Sequence, residues 1–226
     1  MLSIPTGGQM SEQKTSGVDQ LVSGSSMLEE LIALNADVKL SFDDGSTLAV
    51  NSAFISVHSR VLRGAVEATG SIPIAGVSKE EWLQVAAYWY PVVPFPVIKT
   101  WEQAELLLSV GSKFDIQLVL HKVDLYLKSR AAVMASGPDS NINSVWKWMG
   151  LADKAGLTVC ISKLVDKAVS VDRAGCENRE GLEGLSSAVL LEMVMALSRH
   201  CRGISGPAIA RCRGCSRYLE CELCSS

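Results

Sequence analysis

The sequence lacks a surplus of positive charge, an apolar run of membrane-spanning length, and the short motifs that mark the commoner active sites. Its 21 Lys and Arg against 24 Asp and Glu give a formal net charge of −3 and a pI near 5.7. Nucleic acids and anionic membranes select the opposite sign of surface, so neither is an expected partner. No stretch approaches the ~20 apolar residues needed to cross a bilayer, and no charged start leads into an apolar run, so neither a span nor a secretory signal is expected. The cytoplasm or nucleus follows as the expected location. Seven cysteines, an odd number without a secretory signal, read as reduced thiols or metal ligands rather than as a disulfide framework.

A phosphate loop, a dinucleotide fingerprint, H-E-x-x-H and G-x-S-x-G are all missing. Gly203-Ile204-Ser205-Gly206 comes nearest to the last of these, and Pro207 takes the place of its final glycine. His58, His121 and His200 have no cysteine or carboxylate partner at catalytic spacing. No enzyme is expected. Hydrophobic residues make up 48% of the 226, enough for one domain of ordinary size and a smaller second one.

What is present centres on Thr47 to Ala68, where the apolar period changes from two to about three and a half within a few residues. Leu48 and Val50 alternate as strand residues do, whereas Phe54, Ile55, Val57, Val61, Leu62 and Val66 recur at helical spacing. Ser52 is placed to cap the first of two abutting helices and Ser59 the second. A strand feeding a helix pair without a crossover belongs to a compact α+β domain.

This segment resembles the BTB/POZ domain, whose members write a strand followed by His-Lys-x-x-Leu-x-x-x-Ser-x-x-Phe-Arg-x-Met. Asn51 stands at the His position, Ser52 at the Lys, Ile55 at the Leu, Ser59 at the Ser, Leu62 at the Phe, Arg63 at the Arg and Ala65 at the Met. Asp37-Val38-Lys39-Leu40 is similar to the family's first strand. Ile72-Pro73-Ile74 with Gly76-Val77-Ser78 is similar to its third strand and next helix start, and residues 107–127 to its closing helices. The resemblance implies a small sheet capped by helices over residues 26–130. It also implies a homodimer seam formed by Leu28, Leu31, Ile32, Asp37, Asn51, Phe54 and Ser59.

The rest of the chain is read around that domain. Residues 1–25, rich in Gly, Ser, Thr and Gln, form a disordered leader. From Ser26 to Leu34 an amphipathic helix is predicted, with a Ser26/Glu29 capping box and nothing obvious in its own domain to bury against. Asp43-Asp44-Gly45 is hairpin turn chemistry. Ser78 to Tyr90 is a helix with Trp82, Val85, Ala86 and Trp89 on its core face, ended by the proline run Pro91 to Pro96. Helices over Trp101 to Lys113 and Ile116 to Lys128 close the domain.

Residues 131–143 are a linker around Gly137-Pro138-Asp139, and residues 144–202 a helical extension similar to the BACK-type region of BTB proteins. Its helices are predicted over Ser144 to Ala155, Thr158 to Val171 and Leu185 to His200. The first two repeat the pattern of the closing pair of the domain. Ala188 to Leu197 is apolar nearly all round and is expected to be buried, as is Cys160.

Residues 203–226 are cysteine-rich. Cys212 with Cys215 and Cys221 with Cys224 supply four thiolates, the set for a structural zinc, although only five residues separate the pairs. The expected function is protein–protein interaction: self-association and recruitment of partners. In many family members the partner is a cullin scaffold, which makes the protein a substrate adaptor of a ubiquitin ligase. That step is open here, because the family's apolar-x-Glu element is replaced by Pro91 to Pro96 and no substrate-reading module follows. A non-ligase assembly scaffold, and a zinc-dependent regulator acting through the terminal cysteines, stand as alternatives.

Overall fold

The computed structural model describes residues 26–68, 71–91, 96–135, 141–171 and 183–202. Residues 26–32 form α1. Strands β1 (Val38–Phe42) and β2 (Thr47–Val50) follow, then α2 (Ser52–His58), α3 (Arg60–Ala68) and β3 (Ser71–Ile74). Next come α4 (Lys79–Ala86), α5 (Trp101–Lys113) and α6 (Gln117–Arg130), then α7 (Val145–Lys154), α8 (Ile161–Val171) and α9 (Ser187–Arg202). The mixed α+β class expected from the sequence holds.

The sheet has three strands in the order β2-β1-β3, with β1 antiparallel to β2 and parallel to β3. Leu40 lies opposite Leu48 on one side and Ile72 on the other. Strand alternation turns Val38, Leu40, Phe42, Leu48, Val50, Ile72 and Ile74 into the core. Gly45 makes the β1–β2 turn at φ +81°, as the Asp-Asp-Gly sequence predicts. Pro73 is tolerated because β3 is an edge strand, where a missing N–H breaks no inner ladder.

Several helix boundaries follow their caps. The Ser78 hydroxyl accepts from Glu81 N while the Glu81 carboxylate accepts from Ser78 N, and Thr100 with Gln103 repeats this box at α5. The helix predicted to run from Ser78 to Tyr90 stops at Ala86 and continues as turns that still bury Trp89 and Tyr90. At α2 the cap is Asn51, whose side-chain oxygen accepts from Phe54 N at 2.9 Å, and not Ser52. Ser52 has other work, described below.

The two helical hairpins α5–α6 and α7–α8 are built on the same C-terminal turn. Ile116 N donates to Gly111 O at 2.8 Å and Leu157 N to Ala152 O at 2.9 Å, each closing over a residue at positive φ, Asp115 or Gly156. The internal repeat seen in the sequence is therefore physical. Gly111 also lets α6 come close, since a Cβ there would lie 3.1 Å from Leu120 Cδ2.

Residues 131–135 do not behave as a free tether. Ala131 and Met134 are buried, Ala135 bridges to Ser144, and one continuous hydrophobic core runs through both halves. Its polar joint is Asp124 on α6, a buried carboxylate that accepts from the amides of Thr158, Val159 and Cys160 at 3.2, 2.9 and 2.7 Å. Those amides open the approach to α8 and would otherwise lack partners. Cys160 is buried as expected, and burial together with the neighbouring Asp124 pushes its thiol pKa far above the ordinary cysteine range.

Helix α9 corrects the expectation of burial all round. Val189, Met193 and Ala196 are buried, while Leu191 and Val194 are 61% and 62% exposed.

Candidate interaction surface

The corner between α1 and α2 is assembled from short polar side chains. Asn35, at φ 55°, turns the chain out of α1, and its carbonyl accepts from Asn51 Nδ2 at 3.0 Å. Asp37, just before β1, accepts from Ser52 N at 2.7 Å and from the Ser52 hydroxyl at 2.6 Å. That pair of bonds, the hydroxyl's first, holds the Asp37 carboxyl below the usual aspartate range. Asp37 and Asn51 thus lie at one corner of the domain, Asp37 tied to Ser52 and Asn51 to Asn35.

Ser59 is placed differently. It is 1% exposed, its hydroxyl donates to Phe114 O, and its oxygen accepts from Leu62 N at 3.0 Å. It caps α3 as predicted, but it lies in the core between that helix and the α5–α6 turn, so as placed it offers no side chain to a partner.

The leading helix is also corrected. Leu28 and Ile32 are buried in the chain's own domain, Leu31 packs against the same core, and Glu29 pairs with Lys79 at 2.9 Å. What α1 to α3 leave exposed is Met27, Leu34, Val57 and Val61, with Met27 and Val57 at 72% and 74%. Beneath this surface Phe54 is half-buried, its ring 4.2 Å from Tyr90 and 4.7 Å from His58. Burial pushes the Tyr90 hydroxyl well above the ordinary tyrosine pKa, and among the described residues neither it nor Trp89 Nε1 has a hydrogen-bond partner. Periodicity alone does not separate the exposed positions from core ones, because both recur at helical spacing.

A second feature is a cleft of about 570 Å³ between α6 and the segment leading into α5, lined by Tyr88, Val97, Ile98, Lys122, Tyr126 and Arg130. The Lys122 ammonium stands 5.9 Å from the Tyr88 ring centre and the Arg130 guanidinium 5.7 Å from that of Tyr126. The cleft is thus an aromatic floor with cations at its rim. It lies against the proline-containing segment rather than at the α1–α2 corner.

Cys212, Cys215, Cys221 and Cys224 lie outside the described residues. Among the described residues no group of three or more His, Cys, Asp or Glu side chains is arranged to hold a metal ion, and no helix is long and apolar enough to cross a membrane. No family model and no curated protein matches this chain.

Proposed function

We propose that this protein is a BTB/POZ-type interaction module that self-associates through the α1–α3 side of its sheet domain and recruits other proteins. The reading is carried by the order of elements: two strands, a helix pair, a strand pairing parallel to the first, then closing helices. That order is the one the sequence resemblance implies. It is supported by four large apolar side chains left exposed, Met27 on α1, Leu34 in the turn after it, Val57 on α2 and Val61 on α3. Exposed apolar groups grouped on neighbouring elements mark contact surfaces more often than isolated ones do.

Light scattering of the 24.2 kDa chain tests it, with expected mass twice that of one chain. Met27→Asp combined with Val57→Asp places two charges on side chains that make no core contact, so it should halve the mass and leave the fold intact. A wild-type chain that stays at single mass across the concentration range sinks the reading. Whether the recruited partner is a cullin is a separate question, answered by pull-down with purified cullin: capture makes the protein a ligase adaptor, and a dimer that captures none is an assembly scaffold.

A further inference from the structure

The cleft beside α6 is built on one stripe of that helix. Lys122, Tyr126 and Arg130 stand at i, i+4 and i+8, so the two cations share a face and lie about 12 Å apart at 1.5 Å per residue. Leu125 flanks the stripe at 47% exposure, and Val97, 69% exposed, stands on the segment leading into α5. The cleft therefore has a tyrosine floor, an apolar residue on each long side and a cation at each end of the stripe. Among the described residues that line it there is no carboxylate; Glu102 on α5 is a carboxylate whose charge reaches Tyr126. In a chain of net charge −3, two cations with no lining carboxylate between them are a local reversal of sign.

We propose that this cleft docks an extended acidic peptide segment of a partner protein, with two carboxylates four residues apart bracketing an apolar side chain. The match is one of length and of sign. Four residues of extended chain span about 13 Å, so one carboxylate meets Lys122 when the other meets Arg130. Alternation puts the residue midway between them on the same face, where its apolar side chain falls on Tyr126 between Val97 and Leu125. A ring beneath each cation restrains it before the peptide arrives, which lowers the ordering cost of binding. A small anionic molecule fits less well, because such ligands bury most of their surface in enclosed sites and this cleft is rimmed by exposed side chains. The inference rests on the recruitment half of the proposed function and not on self-association.

Fluorescence anisotropy of the full chain with fluorescein-labelled Gly-Ser-Asp-Ala-Leu-Ala-Asp-Ser-Gly tests the proposal. Expected is saturable binding at low ionic strength that salt weakens, and that falls by about tenfold or more when asparagine replaces both aspartates of the peptide. Lys122→Gln with Arg130→Gln lowers affinity by about tenfold or more, whereas Lys154→Gln with Lys163→Gln, which neutralises exposed lysines on α7 and α8, leaves it unchanged. Leu125→Ser alters an exposed side chain and no charge, and it weakens binding too, so the test survives if the double variant of the cations fails to fold. No binding by the wild-type chain overturns the proposal, as does binding that the asparagine peptide or the cleft variants leave unaltered. A dimer that ignores the peptide sinks this inference alone, and a monomer that binds it upholds this inference while sinking self-association.

Discussion

Asp124 satisfies three backbone amides with one carboxylate, inside the core and across more than thirty residues of sequence. Asp124→Ala leaves those donors buried and unpaired, so a loss of about 3 kcal/mol is expected from denaturant titration, with Asp124→Asn milder because it keeps one acceptor. Tyr90 predicts the opposite sign. Its buried hydroxyl has no partner among the described residues, so Tyr90→Phe removes a desolvated group without breaking a bond. A gain of about 0.5–1 kcal/mol is expected, and a loss in the same titration would mean that the hydroxyl is bonded after all.

Asp37 titrates in the same frame. Its folded pKa is lowered by the Ser52 hydroxyl and amide, so its contribution to stability is fully present above the unfolded value near 3.9 and is lost as pH falls through the lower folded value. Asp37→Asn should therefore flatten the acid limb of the stability profile below about pH 4 and leave the shape above it unchanged. Parallel acid limbs in the two proteins would show that the Ser52 pair is not formed in solution.

The helices separate what a glycine costs from what it permits. Gly64 in α3 has open space where a Cβ would go, so Gly64→Ala should stabilise by up to ~1 kcal/mol through helix propensity alone. Gly111 in α5 faces Leu120 and Val119 at 3.1 and 3.3 Å, so Gly111→Val drives methyl groups into α6 and should cost about 2 kcal/mol. Thermal denaturation of both variants checks the contrast, and equal effects would mean that the α5–α6 approach is looser than described.

Such elements were largely legible in the sequence. The ranges read from the sequence for both hairpins lie within about three residues of those observed. The misses share a cause. Ser59 meets Phe114 across 55 residues and Asp124 meets Cys160 across 36, and a bond of that kind leaves no local pattern. Asn51 and Ser52 both favour caps, and only the position of Asp37 decides which of them serves. For α9, apolar residues all round the helix announced a need for burial, but not whether the described part of the chain meets it.

The two halves of the molecule are joined by more than Asp124. The Trp101 ring lies 5.5 Å from Trp148, Lys147 pairs with Glu105 at 2.8 Å, and Lys167 donates to Ala132 O at 2.8 Å. A boundary read from Gly137-Pro138-Asp139 suggests two units, yet an unfolded helical half would strip these contacts from α5 and α6 and expose Trp101 and Leu127. Removing one side of a continuous core costs the other, so the halves should unfold together. Tryptophan fluorescence, with Trp82 and Trp89 in the sheet domain and Trp146 and Trp148 beyond the boundary, should trace a denaturant transition that coincides with helix loss by circular dichroism. Two separated transitions would show that the joint is too weak to couple the halves. In that event Asp124→Ala should destabilise only the later helices, whereas in a single cooperative unit it lowers the midpoint for every probe alike.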